Sequence, residues 1–475
     1  MTDQLAVRNP RTGENDAVIP VTGPQEIDKI AAHLRKHQPD WSAKGLDHRI
    51  SVLQAWRKQI LAAADEIGSA LTTDTGRRLL SLFEVSNTAG SLDQWSAQAP
   101  HMINDVHGRS KALPHIHYQS QDVPYPLVGV ISPWNFPLTL SVIDVIPALL
   151  AGCSVIVKPS EITPRFAAPL VKTIEAVPEL NNVLRFITGA GETGSALIDV
   201  SDIVCFTGSV ATGRKVGAQA ARNFIPVFLE LGGKDPLIIL KDADLDNAVT
   251  AALRGSVINA GQACQSIERI YVHKSIFEDF TARLTQAASE TALNTPDLHK
   301  GAIGPLIFAR QADIIRAQIE DAVKKGAVIR TGGEIENHGG LWCQPTVLTN
   351  VTHDMDIMRA ETFGPLMPVM GFDTRQEVID LANDTDFGLS ASIIGASADE
   401  ALDIGREINA GAISISDASL TTVFRDAEKC AFKFSGMGGS RMGPTALKRF
   451  MRRKALIINT QNPVPISLFD ESNAP

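Results

Sequence analysis

The chain is poor in cysteine: five among 475 residues, at positions 153, 205, 264, 343 and 430. The number is odd, at least 50 residues separate each cysteine from the next, and no C-x-x-C pair occurs. A disulfide scaffold, a redox dithiol and a paired-cysteine zinc site are thereby excluded, and a reducing compartment is expected. Long apolar runs are also missing. The longest, from Val145 to Val157, contains Pro147 and Gly152 and is too short to cross a bilayer; it reads as a buried helix turning into a buried strand. Met1 to Pro10 has no apolar core segment of the kind a secretory signal needs. The formal net charge is −9, which argues against nucleic acid or an anionic membrane as partner. Repeats and low-complexity tracts are absent as well. The expectation is a cytoplasmic protein with no metal site.

What remains is ordinary globular composition, with 44% hydrophobic and 20% charged residues. At roughly 100–200 residues per domain the length allows about two to four domains. Ile27, Ile30, Ala31 and Leu34 recur at helical spacing, as do Ile50, Leu53, Trp56, Ile60, Ala64 and Ile67 over a longer run. Short apolar runs follow, each succeeded by a turn and a helical stretch: Leu127–Ile131, Ser154–Val157, Asp202–Phe206 and Val227–Leu231. This alternation predicts a parallel sheet covered on both faces. A second series, Pro236–Leu240, Glu268–Val272, Trp342–Leu348, Pro365–Gly371 and Gly411–Ile415, predicts another, with Gly232 to Pro236 as the hinge. Lys111–Pro124 and the tail after Leu456 fit neither series and read as extended strands that a partner subunit would cover.

Five segments carry chemistry. Gly189-Ala190-Gly191-Glu192-Thr193-Gly194 matches G-x-G-x-x-G literally, but no acid ends the next strand, so a glycine-rich surface loop competes with the dinucleotide fingerprint. Phe206-Thr207-Gly208-Ser209 leaves a strand and enters a helix, a place suited to an anion or simply to a tight turn. Cys264 lies among small polar residues, unlike Cys153 and Cys205 in their apolar surroundings. Glu230, at an apolar strand end, reads as a salt-bridged structural carboxylate or as a general base raised by burial. Asn135, in Ser132-Pro133-Trp134-Asn135-Phe136-Pro137, caps a turn or faces a reacting group.

Taken together and in order, these segments resemble the aldehyde dehydrogenase superfamily. The resemblance rests on Pro133–Pro137, Lys158-Pro159-Ser160-Glu161, Phe206–Ser209, Glu230–Lys234, Gly261-Gln262-Ala263-Cys264 and Glu361-Thr362-Phe363-Gly364-Pro365, and spans nearly the whole chain. It implies an α/β fold: a Rossmann-like cofactor domain (1–106 and 127–232), a topologically related α/β catalytic domain (233–455) and a small β oligomerisation domain (107–126 and 456–475). It implies a homodimer or homotetramer. It further implies Cys264 as nucleophile, Asn135 and the Cys264 backbone N–H as oxyanion hole, and Glu230 as the base that activates water. Cofactor contacts are implied for Ile131, Pro133, Trp134, Lys158, Ser160, Glu161, Gly191, Phe206, Gly208, Ser209, Leu231, Glu361 and Phe363. Glu161 would accept hydrogen bonds from a ribose hydroxyl and repel a 2′-phosphate, so NAD is expected over NADP. Glu230 favours hydrolysis to a free acid over acyl transfer to coenzyme A.

The pattern departs from the family in two places. Five residues after Gly411 stands Ser416 where Asn is usual. Glu428-Lys429-Cys430-Ala431 replaces a Pro-Phe-Gly-Gly turn at the substrate mouth. Phe136, Leu140 and Ile143 share one helix face; with Ala263 and Gln265 they are expected to line a substrate tunnel for a hydrophobic aliphatic, terpenoid or aromatic aldehyde. A carboxylate-bearing semialdehyde is the alternative, with Arg425 as its cation if that residue is not a solvated surface charge. A non-redox cysteine hydrolase or acyltransferase is a further alternative, but such enzymes pair Cys with His, and no histidine adjoins these motifs.

Overall fold

The computed structural model describes residues 4–103 and 106–474; residues 1–3, 104, 105 and 475 of the expected domain division lie outside the described residues. Two sheets are built one after the other. The first takes Leu127–Ile131, Ser154–Lys158, Leu184–Phe186, Ile203–Thr207 and Val227–Glu230, all paired in parallel. Leu127–Ile131 lies between Ser154–Lys158 on one side and Ile203–Thr207 on the other. The chain therefore reverses its direction of growth there, which opens a crevice at the carboxyl ends of these strands. Every residue of those three strands is buried, as continuous apolar strands inside a doubly covered sheet must be. Trp56, Trp95, Leu149 and Phe166 fill the core on one face; Ile27, Leu34, Leu197 and Val216 fill the other.

The second sheet has seven strands in the order Val328–Thr331, Thr346–Thr349, Leu366–Phe372, Ile267–His273, Asp235–Ile239, Ala391–Ile394 and Ile413–Ile415. Only its first pair is antiparallel. Glu230 ends the first sheet and Asp235 begins the second, so Leu231–Lys234 is the crossing between them. A third, antiparallel sheet joins Val106–Arg109, Ile116–Pro124 and Met451–Asn459.

Several elements differ from the sequence expectation. The helical run from Ile50 to Ile67 breaks at Ala63 (φ −99°, ψ 13°), giving helices Leu46–Ala62 and Ala64–Thr75. Trp342–Leu348 is two strands, because Pro345 supplies no N–H to continue one. Leu184–Phe186 and Ala391–Ile394 were not anticipated: the first is three residues long and the second is preceded by polar Ser390. The strand near the C-terminus begins at Met451 rather than after 456. Gly436–Met437 adds to the edge of the first sheet, and Ala446, Leu447 and Phe450 enter its core. Residues 436–450 thus pack with the first sheet. Asp144 is the physical reason: buried at the start of helix Val145–Ala151, it holds both Arg441 and Arg449.

Candidate active site

The carboxyl end of Leu127–Ile131 leads directly into Ser132–Phe136. Asn135 is buried and does not cap its own turn; its Nδ2 reaches the other side of the crevice and donates to the Gln262 carbonyl (3.0 Å). Its carbonyl accepts from Arg77 (2.7 Å) and Asn259 (3.1 Å). Arg77 is itself ion-paired with Glu84 (3.0 Å), whose second oxygen accepts the N–H groups of Leu138 and Thr139 (both 3.0 Å). Those are unsatisfied donors of the first turn of helix Pro137–Val142, where a carboxylate is favourable. Burial draws Arg77 down to about 10, leaving it charged at neutral pH.

The cysteine loop is held on strained backbone. Asn259, Ala260 and Gly261 have φ of 56°, 55° and 71° in succession. A Cβ at Gly261 would stand 2.2 Å from the Gly364 carbonyl oxygen, so only glycine fits. Gln262 locks the turn: Oε1 accepts from Ile307 N–H (2.8 Å), and Nε2 donates to Asn259 O (2.9 Å) and Pro305 O (3.2 Å). Cys264 follows, half-buried, whereas Cys153, Cys205 and Cys343 are buried and Cys430 is exposed. Burial pushes the Cys264 thiol up to about 12; Lys429 opposes this, while Asp235, Glu230 and Glu361 add to it. A thiol near 8.5 is already mostly protonated at neutral pH but keeps a few per cent thiolate; the shift removes that fraction, so attack needs a proton acceptor.

Glu230 and Glu361 approach this loop from two further elements. A Cβ on Gly233 would lie 2.6 Å from the Cys264 carbonyl oxygen, and one on Gly232 would lie 2.4 Å from Glu361 Oε1. The two glycines are thus what lets the three segments meet. Gly233 N–H donates to Glu361 (3.2 Å), and burial, with Glu268 nearby, lifts this carboxyl to about 8. Glu230 is half-buried and makes no ion pair among the described residues; its carbonyl accepts Gly208 N–H (3.1 Å), tying it to the glycine turn.

The sequence reading missed the buried frame behind this site. Lys234 donates to Glu268 (2.8 Å) and Thr362 (2.9 Å), and Glu268 accepts the N–H groups of Thr362 (2.7 Å) and Phe363 (2.8 Å). Asp235 accepts from Ser390 through both its backbone N–H and its hydroxyl. The available signal was a Lys-Asp pair at the mouth of an apolar strand and a Glu within another.

The expected cofactor residues gather along the same crevice. Ser209 caps helix Val210–Arg222, accepting from Thr212 N–H (3.3 Å), directly after Phe206 and Gly208. Lys158 ends its strand buried, with Nζ donating to Glu161 (3.2 Å), Pro159 O (3.2 Å) and Gly189 O (2.7 Å). Gly191 opens the next helix. Ile131, Ser160 and Leu231 are buried, Pro133 is half-buried, and the Trp134 ring meets Phe363 edge-on at 5.3 Å. A glycine turn at a helix N-terminus suits a pyrophosphate, and a Lys–Glu pair suits a ribose diol; this donor set fits a dinucleotide.

Of the residues expected to line a substrate tunnel, Phe136 and Leu140 are half-buried and Ile143 is buried. One face of the Phe136 ring is taken by the Arg77 guanidinium, 4.4 Å from its centroid. Ala263 and Gln265 flank the cysteine, Gln265 accepting from Ser419 (2.9 Å) and Thr421. Ser416 has φ 62°, a conformation that Asn tolerates better than Ser. Arg425 is not a solvated surface charge. It lies with Trp95, Ile143 and Met442 around a small cavity, donates to Ser91 (2.9 Å), and is drawn below its usual value by burial and by Arg441.

Parallel sheets meeting at a glycine crossing, with a cysteine on one side and a nucleotide-shaped turn on the other, define a Rossmann-like oxidoreductase. The chain belongs to the aldehyde dehydrogenase family, whose model matches residues 1–456. Among curated proteins it is 36% identical over 444 residues to 4,4′-diapolycopene aldehyde oxidase of Methylomonas sp, covering 92% of this chain and 82% of that one. It is 31% identical to a protein of Mycolicibacterium smegmatis provisionally named succinate-semialdehyde dehydrogenase [NADP(+)], covering 96% and 90%. Among solved structures, PutA of Anabaena variabilis, provisionally named an aldehyde dehydrogenase, superposes with a TM-score of 0.95 at 52% identity, covering 97% and 99%.

Proposed function

We propose that this aldehyde dehydrogenase oxidises its substrate to the free carboxylic acid with NAD, through a covalent intermediate on Cys264. The observation that carries the reading is the Asn135 amide, buried and bridging from the first sheet to the Cys264 loop. Cys264 Sγ bonds to the aldehyde carbon as its thiol proton passes to water. The second N–H of Asn135 and the Cys264 backbone N–H receive the oxyanion, each such donor typically worth about 2.7–4 kcal/mol. NAD, held by the Gly208–Ser209 turn, the Lys158–Glu161 pair, Glu361 and Phe363, supplies the hydride acceptor. The resulting thioester is cleaved by water whose proton Glu230 takes, releasing acid and restoring the thiol. NADH absorbance on a panel of aldehydes tests the reading; turnover retained by Cys264→Ala would sink it. Cys264 has no histidine partner among the described hydrogen bonds, which weighs against a non-redox hydrolase.

The carboxylate of Glu161 supports NAD over NADP, and a higher kcat/KM with NADP would overturn that preference. The half-buried Phe136 and Leu140 support a hydrophobic aliphatic, terpenoid or aromatic aldehyde. A second reading, a carboxylate-bearing semialdehyde, is favoured by Arg425, which makes no ion pair among the described residues despite its burial. Arg425→Met decides between them: on the second reading it lowers kcat/KM selectively for a semialdehyde, whereas on the first it leaves the ratio of kcat/KM for neutral and carboxylate-bearing aldehydes unchanged. Assembly as a homodimer or homotetramer in a reducing, cytoplasmic setting completes the proposal.

A further inference from the structure

Arg77 is buried, and its contacts run to the turn that carries Asn135. Gly76 (φ 69°) closes helix Ala64–Thr75 just before it; a Cβ there would stand 2.3 Å from Pro305 Cγ, and the Gly76 carbonyl accepts from Asn294 (2.9 Å). Launched from that turn, the guanidinium makes its hydrogen bonds through Nη2 alone, to Glu84 Oε1 (3.0 Å) and to the Asn135 carbonyl (2.7 Å). Nε and Nη1 are buried with no hydrogen-bond partner among the described residues. The face of the guanidinium lies on the Phe136 ring, 4.4 Å from its centroid, which offsets only part of that loss. Unmet buried donors are costly, so stability alone is poorly served by this arrangement. What it does achieve is a grip on Asn135 from both directions along the chain. Arg77 holds the Asn135 carbonyl, and Glu84, through Oε2, holds the N–H groups of Leu138 and Thr139 (both 3.0 Å). Across the crevice Asn259 Nδ2 donates to the Asn135 carbonyl (3.1 Å) and to the Gln262 carbonyl (2.9 Å), the same oxygen that accepts from Asn135 Nδ2 (3.0 Å). Both lone pairs of the Asn135 carbonyl are thus taken and one of its two amide hydrogens is fixed, so the direction of the second follows.

We infer that Arg77 is a positioning residue: paired with Glu84, it fixes the Asn135 backbone so that the free amide N–H points at the oxyanion. The inference rests on Asn135 as an oxyanion donor. Arg77 itself touches no reacting atom and acts only through where that one donor stands, and a displacement of about 1 Å in such a group can cost about 100-fold in rate.

A double-mutant cycle on the first turnover separates positioning from a merely structural role. The full-length enzyme is mixed with saturating NAD and hexanal, or whichever aldehyde of the panel turns over fastest, and the first equivalent of NADH is followed by stopped flow. Asn135→Ala is expected to slow this phase about 100-fold. Arg77→Met is made together with Glu84→Gln, so that no buried carboxylate is left unpaired and an amide oxygen remains for Leu138 and Thr139. With Asn135 present this pair of substitutions is expected to slow the phase about tenfold or more. In the Asn135→Ala background, where no amide is left to aim, it is expected to add less than about twofold. Arg77→Lys, which keeps the charge but not the planar fork, takes its place in the cycle if the pair does not fold. An equal loss on both backgrounds overturns the inference, as does no loss with Asn135 present. The two readings fail separately: a parental rate in Asn135→Ala removes the oxyanion donor, whereas a slow Asn135→Ala with an additive Arg77 effect removes only the positioning role.

Discussion

Cys264, Glu230 and Asn135 could be singled out in the sequence, but Glu230 and Asn135 each alone also had a structural reading, and it is their order with the other motifs that marks all three as candidates. Their ionisation was not legible. The thiol is pushed up to about 12 by burial and by carboxyl groups from other segments, and Glu361 is lifted to about 8. Such shifts depend on what surrounds a group in space, which no local pattern records. Two substitutions test this scale. Glu230→Gln should leave acylation intact and slow deacylation by about 100-fold or more, seen as a stoichiometric burst of NADH followed by a slow steady rate; an unchanged steady rate refutes the base assignment. Gly261→Ala, which meets the Gly364 carbonyl and a left-handed backbone, should destabilise the fold by about 2–3 kcal/mol in urea titration.

Between elements, ion pairs decide what packs with what. Asp144 starts a helix whose buried, wholly apolar character is plain from Val145 to Ala151. Its binding of Arg441 and Arg449, some 300 residues away, was invisible. Burial opposes the Asp144 charge, but the two arginines hold its pKa below the usual range. Asp144→Ala would strand two buried cations and should cost about 3–5 kcal/mol, measured as a fall in the urea midpoint; a loss under about 1 kcal/mol argues against this anchoring role. Asp235 behaves oppositely. Burial lifts it to about 7 from an unfolded value near 3.8, so the folded state binds the extra proton between those pH values. Its contribution is full below about pH 4 and is lost as pH rises through 7, at about 1.4 kcal/mol per pH unit. Asp235→Asn should flatten stability between pH 5 and 7 by about that slope, and an unaltered slope contradicts the shift.

For the whole molecule, the third sheet projects strand Met451–Asn459, in which Leu456, Ile457 and Ile458 are 42%, 71% and 43% exposed. Beyond it Ile466 and Phe469 are also exposed. We propose that another subunit covers these exposed apolar residues. Ile457→Glu should therefore lower the mass in analytical ultracentrifugation toward that of a monomer; an unchanged mass excludes this strand from the interface. What the sequence determined alone is the parallel α/β plan and the residues at its strand ends, because buried strands must be apolar throughout and glycine turns must follow them. Its reading of the last third was weaker, and it set residues 436–450 with the wrong sheet. Only the tertiary structure decided that placement, the frame of Lys234, Glu268 and Arg77 behind the site, and the charge around Cys264. Each depends on residues distant in the chain that meet only once the two sheets close on Gly232 and Gly233, and a desolvated ion pair or a shifted pKa does not exist until they do.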